Sequence, residues 1–484
     1  MNIIDRLVSI FSPSAALKRV QARQMAMMIS ERRYDATSGG RRTSGWRNVP
    51  TSPVIEIGMS LQQMRELSSD AVRNNTNAHR AVEVISNHVV GTGIRPSFSG
   101  GGAKTANTLW KEWAEAVTCS YDERMTFYAI QELAMVAMVE RGECLILRKR
   151  NADLRIPIQL QLLEADHLDH MYSTPRSTTE NYVIQGVEYA PSGKRVAYYI
   201  FPFHPAEGGG IRTRVPAEDV IHLFRPRRIG QVRGLPSGTS GHVRMRDLDE
   251  FEDAELLKQK VSACFAAFVQ DSSDSIVQGT PNAESDLDRI EPGTIETLPT
   301  GKSMVFSNPP VTNGQGEFVK TKLRSIASSY GITYESMTSD YSNVNFSSAR
   351  MGWLEMRKNI TMIQQNVIIP LLCDGVFKWF EEAVSLRGIG KKNVGVAWTV
   401  PAKDMIDLSG ESAATMNMIR GGLKSFDEAL REQGYDPDRV REEIAASNKK
   451  LDDLQIVLDT DPRYTMKAGV IQPNVTSPAG EKPQ

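Results

Sequence analysis

One stretch constrains this chain more than any other: RMRDLDEFEDAELLKQKVSACFAAFVQ, Arg244–Gln270. Leu248, Phe251, Ala254, Leu257, Val261, Cys264, Phe265 and Phe268 recur in it at three- and four-residue steps, which sets them on one face of a helix. That face must be buried. Asp247, Asp249, Glu250, Glu252, Asp253 and Glu255 crowd the first half, and Lys258 and Lys260 follow, the order a helix dipole favours. At the rise of an α-helix the stretch would span roughly 40 Å. A second helical segment, Phe318–Tyr330, follows residues 271–317, where glycines, prolines and short alternation predict a few strands joined by tight turns. The chain is therefore expected to run out along one helix, make a small β-rich excursion and return along another. Such an arrangement is a strut, not the wall of a pocket; an ordinary long core helix is the plain alternative.

At 484 residues the chain is too long for one compact core and is expected to form about two to four domains. Its hydrophobic share of 40% and charged share of 24% exclude wholesale disorder. A formal net charge of −1 argues against a broad basic surface that grips nucleic acid, so any contact with a polyanion should be local or transient. Cys119, Cys144, Cys264 and Cys373 are widely separated and read as reduced core residues of a cytoplasmic protein. No apolar run approaches the roughly 18 residues that span a bilayer, so no membrane partner is expected. The opening MNIIDRLVSIFSPSAALKRV, broken by Asp5, Arg6 and Pro13, is a poor secretory signal. Residues 1–50 hold nine basic side chains against Asp5, Glu31 and Asp35, which makes them either a solvated tail or an arm for DNA, a neighbouring subunit or an acidic partner.

Helical spacing runs over Ser60–Val90 and stops at Gly91-Thr92-Gly93. Two more helices are predicted over Thr105–Val117 and Phe127–Arg141. Strand signals then follow in GECLILRKR, IPIQLQLLEADHLD and NYVIQGVEYAPSGKRVAYYIFPF, and in Val220–Phe224, which leads into a basic turn. After the return helix comes MTSDYSNVNFSSAR, a polar loop without periodicity. Met351–Leu386 reads as a long helix interrupted at Pro370, Val396–Pro401 as a strand, and Lys403–Leu458 as short helices parted by Gly421-Gly422 and Gly434-Tyr435-Asp436-Pro437.

Catalytic patterns fail on inspection. Glu164-Ala165-Asp166-His167-Leu168-Asp169-His170 offers metal-ligand types, but in an extended strand Asp166 and His167 point to opposite faces. Leu298-Pro299-Thr300-Gly301-Lys302-Ser303 ends like a phosphate loop, yet its first glycine position holds Glu296, and Met304-Val305-Phe306 signals a strand where a helix is needed. GxSxG and HExxH are absent. Nothing assembles a nucleophile, a base and an oxyanion donor, so the chain is read as a non-enzyme that needs no cofactor and no metal.

A series of short strings resembles the lambda-type family of tailed-bacteriophage portal proteins over nearly the whole chain. They are Arg73-Asn74-Asn75 with Ala81; Val90-Gly91-Thr92-Gly93-Ile94-Arg95-Pro96; Trp113; Arg141-Gly142-Glu143; Leu163-Glu164-Ala165-Asp166; Gly186-Val187-Glu188 with Ala197-Tyr198; His222; Gly230-Gln231-Val232-Arg233-Gly234-Leu235-Pro236; Asp247-Leu248-Asp249; Asp253-Ala254-Glu255-Leu256; Pro292-Gly293; Asp340-Tyr341-Ser342-Asn343; Asn345-Phe346-Ser347-Ser348-Ala349-Arg350; and Gly422 with Ser425. Ser237-Gly238-Thr239-Ser240-Gly241 departs from the family, which places more apolar residues there.

The resemblance implies an α+β portal fold that assembles as a ring, a dodecamer. Its parts would be a basic arm (1–50), an α/β wing (51–240), an outgoing stem helix (241–270), a β-rich clip (271–317), a returning stem helix (318–336), a tunnel loop (337–350), a wing helix and strand (351–400), a helical crown (401–460) and a mobile tail (461–484). The stem would include Asp247, Asp249, Phe251, Glu255, Leu257, Val261, Phe265, Lys322 and Arg324. Asp286, Arg289, Glu291, Glu296 and Lys302 would belong to the clip. Thr338, Ser339, Asp340, Tyr341, Ser342, Asn343, Asn345 and Ser347 would face double-stranded DNA in the channel. Implied partners are other copies of the chain, the terminase large subunit, the major capsid or scaffold protein and head-completion proteins. The implied location is the portal vertex of the virion, after assembly in the host cytoplasm. Near-neutral charge suits a conduit, because a lumen that held each phosphate tightly would stall DNA, and short polar side chains touch a backbone without fixing register. Two other classes stay open from the residues alone: a DNA-processing enzyme of the packaging machinery, and a capsid- or scaffold-binding protein without a channel. The acidic half of the outgoing helix fits either a subunit contact or a negative channel wall.

Overall fold

The helical spacing over Ser60–Val90 belongs to two helices, α1 (Pro53–Asn74) and α2 (Thr76–Val89). Asn75 parts them. Its Oδ1 accepts the N–H groups of Asn77 and Ala78 at 3.0 and 3.1 Å, an N-cap that starts a new helix instead of continuing the old one. The structure, a computed structural model, describes residues 50–263, 267–271, 302–306, 314–390, 394–402, 407–458 and 463. Contacts divide the chain after Ser52, and the fold below is that of the unit that begins at Pro53.

The chain turns after α2 on Gly93, whose φ is +107° and whose Cβ, were there one, would lie 2.6 Å from the Tyr128 side chain. Strand β1 (Arg95–Ser99) and helices α3 (Ala103–Ala114) and α4 (Phe127–Arg141) follow. Gln131 on α4 ties the turn down: Ile94 N–H donates to its Oε1 at 2.7 Å and its Nε2 donates to the Ile94 carbonyl at 3.1 Å. Trp110 of α3 is the centre of the core, with the rings of Phe98, Trp113, Phe127, Phe377, Phe380 and Trp398 at centroid distances of 5.0 to 6.2 Å.

Seven strands come next: β2 (Glu143–Lys149), β3 (Gln159–Glu164), β4 (Tyr182–Ile184), β5 (Val187–Tyr189), β6 (Arg195–Ile200), β7 (Thr213–Pro216) and β8 (Val220–Phe224). β2 is the middle of an antiparallel sheet, between β3 and β8, while β4 to β7 form a separate meander. The near-continuous apolar run of β2 fits its burial under α4 on one side and the meander's core on the other.

Helix α5 (His242–Ala263) is the outgoing helix, and α6 (Gln315–Tyr330) the return. The outgoing helix does not run to Gln270 as expected. Ala267–Asp271 forms strand β9, paired antiparallel with β10 (Lys302–Phe306). A short apolar run such as AFVQ satisfies helix and strand periods alike, and its Phe268 and Val269 meet the strand-forming Met304-Val305-Phe306 across the ladder. The expected apolar face of α5 also changes course. Met245 and Leu248 are buried and Phe251 is half-buried, but Ala254 is exposed and Leu257 is 63% exposed. The return helix covers only the side marked by Phe251 and Phe318, whose rings lie 4.9 Å apart.

A short helix α7 (Tyr334–Thr338) leads to the polar loop, and then α8 (Phe346–Ile363), a wide π-helical turn (Gln364–Cys373) and α9 (Asp374–Leu386) run without a break. Pro370 does not interrupt them. Asp374 N–H reaches back five residues to the Ile369 carbonyl, and this wider turn absorbs the proline that an α-helical turn would not. The combined helix Phe346–Leu386 is also long and apolar enough to cross a membrane, with a window of mean hydropathy 1.4, contrary to the expectation that no such run exists. In this fold Ile360, Ile363, Val367, Ile368, Leu372 and Val376 of that helix are core residues. Strand β11 (Gly395–Thr399) closes against β1, and α10 (Leu408–Arg420), α11 (Phe426–Glu432) and α12 (Pro437–Asp453) end the described fold.

Candidate functional site

The two strut helices are antiparallel and meet side by side. Near the start of α5 Gly241 faces Ser329, farther along Lys322 Nζ lies 3.7 Å from Asp247, and then the Phe251 ring packs against that of Phe318 at a tilt of 54°. Asp249 is fixed from the other direction, accepting from Asn75 Nδ2 at 2.9 Å. Glu255 pairs with Lys258 at 3.8 Å. Leu257 projects outward, Val261 lies in the last turn of α5, and Phe265 falls outside the described residues. On α6, Lys322 also lies over the Phe318 ring and Arg324 over that of Tyr334. The acidic residues of α5 are unevenly neutralised: burial, and then Asp249 and Asp253, raise the pKa of Glu252.

The loop between α7 and α8 is built on Asp340. Its Oδ1 accepts the hydroxyl of Ser342 at 2.6 Å and the backbone N–H of Ser342 at 3.1 Å, and its Oδ2 accepts the Tyr334 hydroxyl at 2.8 Å. Lys320 of α6 stands 3.7 Å away. These hydrogen bonds, Ser342's first, hold the Asp340 carboxyl below its usual range. Ser339 carries the bend with φ of +57°. At the far end Asn345 and Ser348 form a reciprocal capping box that starts α8. Of the eight residues expected to face DNA, Thr338 is bonded to Tyr334, Asp340 is turned to Ser342 and Tyr334, and Ser339, Tyr341, Ser342, Asn343, Asn345 and Ser347 are exposed, Ser342 with its hydroxyl donated to Asp340. The result is a pinned turn with a row of short polar side chains outside it.

Of the clip residues, Asp286, Arg289, Glu291 and Glu296 lie outside the described residues, and Lys302 begins β10 opposite Asp271.

Sequence reasoning did not foresee the most buried charges among the described residues. Glu143, Arg65 and Arg233 are each 0% exposed. Arg65 pairs with Glu143; Arg233 Nε donates to it at 2.8 Å, His222 Nε2 at 2.9 Å and Gly234 N–H at 2.6 Å. Burial would raise the Glu143 carboxyl, but Arg233, Arg65 and His222 hold it well below the usual range. Burial in turn lowers Arg65 to about 10. The close approach needs glycine, since a Cβ on Gly234 would stand 2.1 Å from the Gly142 carbonyl oxygen. Three of the strings singled out in the sequence therefore meet at one point, and the available signal was a glutamate opening an apolar strand run.

The metal-like cluster takes another form than expected. Ala165–His167 is a 3₁₀ turn, not an extended strand, so alternation does not decide the matter. Glu164, Asp166 and His204 bring ligand atoms within 4.8 Å of one another. Arg141, however, pairs with Asp166 and lies 3.7 Å from Glu164, and Arg65 lies 3.5 Å from Asp166. His204 Nδ1 accepts the Ala206 N–H at 3.2 Å, which leaves the proton on Nε2, the nitrogen that faces both carboxylates. A protonated Nε2 offers no lone pair to a cation. Arginines thus already balance both carboxylates of the cluster.

Comparison with known proteins gives a consistent result. The family described as "Phage portal protein, lambda family" matches residues 39–364. The probable portal protein of Halomonas phage phiHAP-1 is 26% identical over 366 residues, 72% of this chain and 70% of that protein. Portal protein B of Escherichia phage lambda is 24% identical over 509 residues, 91% of each. The portal protein of Escherichia phage N15 is 23% identical over 472 residues, 83% of this chain and 86% of that one. Among solved structures, a chain from the neck of an empty GTA particle aligns with a TM-score of 0.46 and 13% identity, over 78% of this chain and 94% of its own.

Proposed function

The chain belongs to the lambda family of phage portal proteins, and from that premise we propose that its copies close into a ring, a dodecamer in the family pattern, that carries DNA through one vertex of the capsid. In this reading α5 and α6 are the stem, and β9 and β10 root the clip that meets the terminase large subunit and later the head-completion proteins. Capsid or scaffold protein surrounds the wing, and the product is a virion component. The observation that carries the reading is the loop at residues 339–347. Its backbone is fixed by Asp340 at one end and the Asn345 capping box at the other, so the exposed Asn343, Asn345 and Ser347 present hydroxyl and amide groups from a firm support. Such groups exchange hydrogen bonds with phosphate oxygens at little cost, and none of these three brings a charge that would anchor one.

The test is to replace residues 339–346 with a Gly/Ser linker in the full chain. Rings should still form, and DNA packaging or retention in particles should fall. Packaging at the unsubstituted level would remove the loop from its assigned role.

A further inference from the structure

β8 leaves its sheet into a turn, Arg225–Gln231, that one side chain holds in shape. Gln231 Oε1 accepts the backbone N–H groups of Arg227 and Arg228 at 2.8 and 3.2 Å, and its Nε2 donates to the Arg233 carbonyl at 2.7 Å. Arg233 is anchored in turn on the buried Glu143. At the other end the Arg225 guanidinium donates to Asn359 Oδ1 on α8 at 3.1 Å, and Arg228 pairs with Glu56. The turn is thus rooted on three sides, yet its tip, Ile229, is 101% exposed. A single exposed isoleucine needs no explanation by itself. Here it sits on a stapled turn beside Arg227, which has no acidic partner among the described residues, and Arg227 also adds to burial in lowering the pKa of Arg225.

The opposite pattern stands on α5. Asp249, Glu252, Asp253 and Leu256 follow at helical steps on one exposed side, and Leu256 is 51% exposed. Among the described residues no cation pairs with Glu252 or Asp253. One chain therefore carries a basic turn tipped by an apolar side chain and an acidic helix face with an apolar side chain one turn on. Two different, complementary patches on every copy are what a head-to-tail contact requires.

We propose that the Arg225–Gln231 turn of one copy seats on the α5 face of the next, with Ile229 against Leu256 and Arg227 against Glu252 and Asp253. The inference rests on the ring reading above and adds to it a contact between the turn and the stem of the neighbouring copy.

The test reverses charge on each side in the full chain: Arg227→Glu alone, Glu252→Arg with Asp253→Arg, and all three together. Mass photometry reads the share of rings against single copies across a concentration series. Each one-sided reversal should raise the concentration for half-assembly about tenfold, or roughly 1.4 kcal/mol per contact, and the combined variant should recover most of that loss. Ile229→Ser should weaken assembly without a charge change. All four sites are exposed, so circular-dichroism melts of single copies should match the unsubstituted chain. Assembly of Arg227→Glu at the unsubstituted concentration overturns the inference, as does a combined variant no better than its parts. Rings that form normally with Arg227→Glu but retain less DNA would reassign the turn to a polyanion and also overturn it. An unsubstituted chain that forms no rings would sink the ring reading itself, a result distinguishable from the others.

Discussion

His222 is the residue at which burial and a neighbouring charge compete. Burial lowers its pKa below the ordinary 6.5, and Glu143 beside it only partly opposes this. The ring therefore holds a proton less readily in the native state than in the unfolded chain, where it takes one up below about pH 6.5. Where the unfolded state binds more protons, stability falls as the pH is lowered, by at most about 1.4 kcal/mol per pH unit for each such group. Burial moves His167, His170 and His242 in the same direction. Glu143, held well below its usual range, contributes stability that is lost only in stronger acid, so it does not mask this window. The expected outcome is a melting temperature that drops from about pH 7.5 to about pH 5.5, with a shallower slope in His222→Gln. A flat or rising profile would contradict it. This node was the part of the chain least legible in the sequence. Charged residues are seldom fully buried unless paired, and Glu143 finds Arg65 and Arg233 at separations of 78 and 90 residues, beyond the reach of any local pattern.

At the scale of elements, Asn75 joins two jobs. Its Oδ1 caps α2 while its Nδ2 holds Asp249 on α5, so the first half of α5 is fixed to the junction of α1 and α2. Asn75→Ala removes both, and chemical denaturation should show a loss of about 1–2 kcal/mol. Asp249→Ala should cost less, because the cap remains. Equal losses would mean that capping contributes nothing. Other elements show where local signals run out. The polar loop was legible at residues 339–345, because its Ser and Asn residues lack any period, but Met337-Thr338 close α7 and Phe346–Arg350, read as more of the loop, open α8 from the Asn345 cap; helix α4 was legible over Phe127–Arg141, where Thr126 caps it and Gly142 ends it in the left-handed conformation. The end of α5 was not, because the residues after Ala263 suit two periods and only the pairing of β9 with β10 selects one. Nor was the passage through Pro370, where the sequence announces a break and the fold answers with a π-turn whose Leu372 and Cys373 are fully buried in the core.

For the whole molecule, the net charge of −1 is a statement about how a channel of such chains would treat DNA. Each phosphate that a lysine neutralises adds to affinity through released counterions, and that gain must be surrendered for the DNA to advance. Asn343 is the place to test this, since it is exposed and no hydrogen bond or ion pair among the described residues depends on it. Asn343→Lys sets one added positive charge per copy at the loop, and in a ring these become a band of like charge around the passage. Packaging should slow, and it should slow most at low salt, because a contact with one phosphate weakens with a log–log slope of about −0.9 as salt rises. Asn343→Ser, equally small and neutral, should package as the unsubstituted chain does. If Asn343→Lys packages at the unsubstituted rate across salt concentrations, the loop does not meet the phosphates. A slowdown that salt does not relieve would indicate that the lysine disturbs the Asp340 turn instead of gripping DNA.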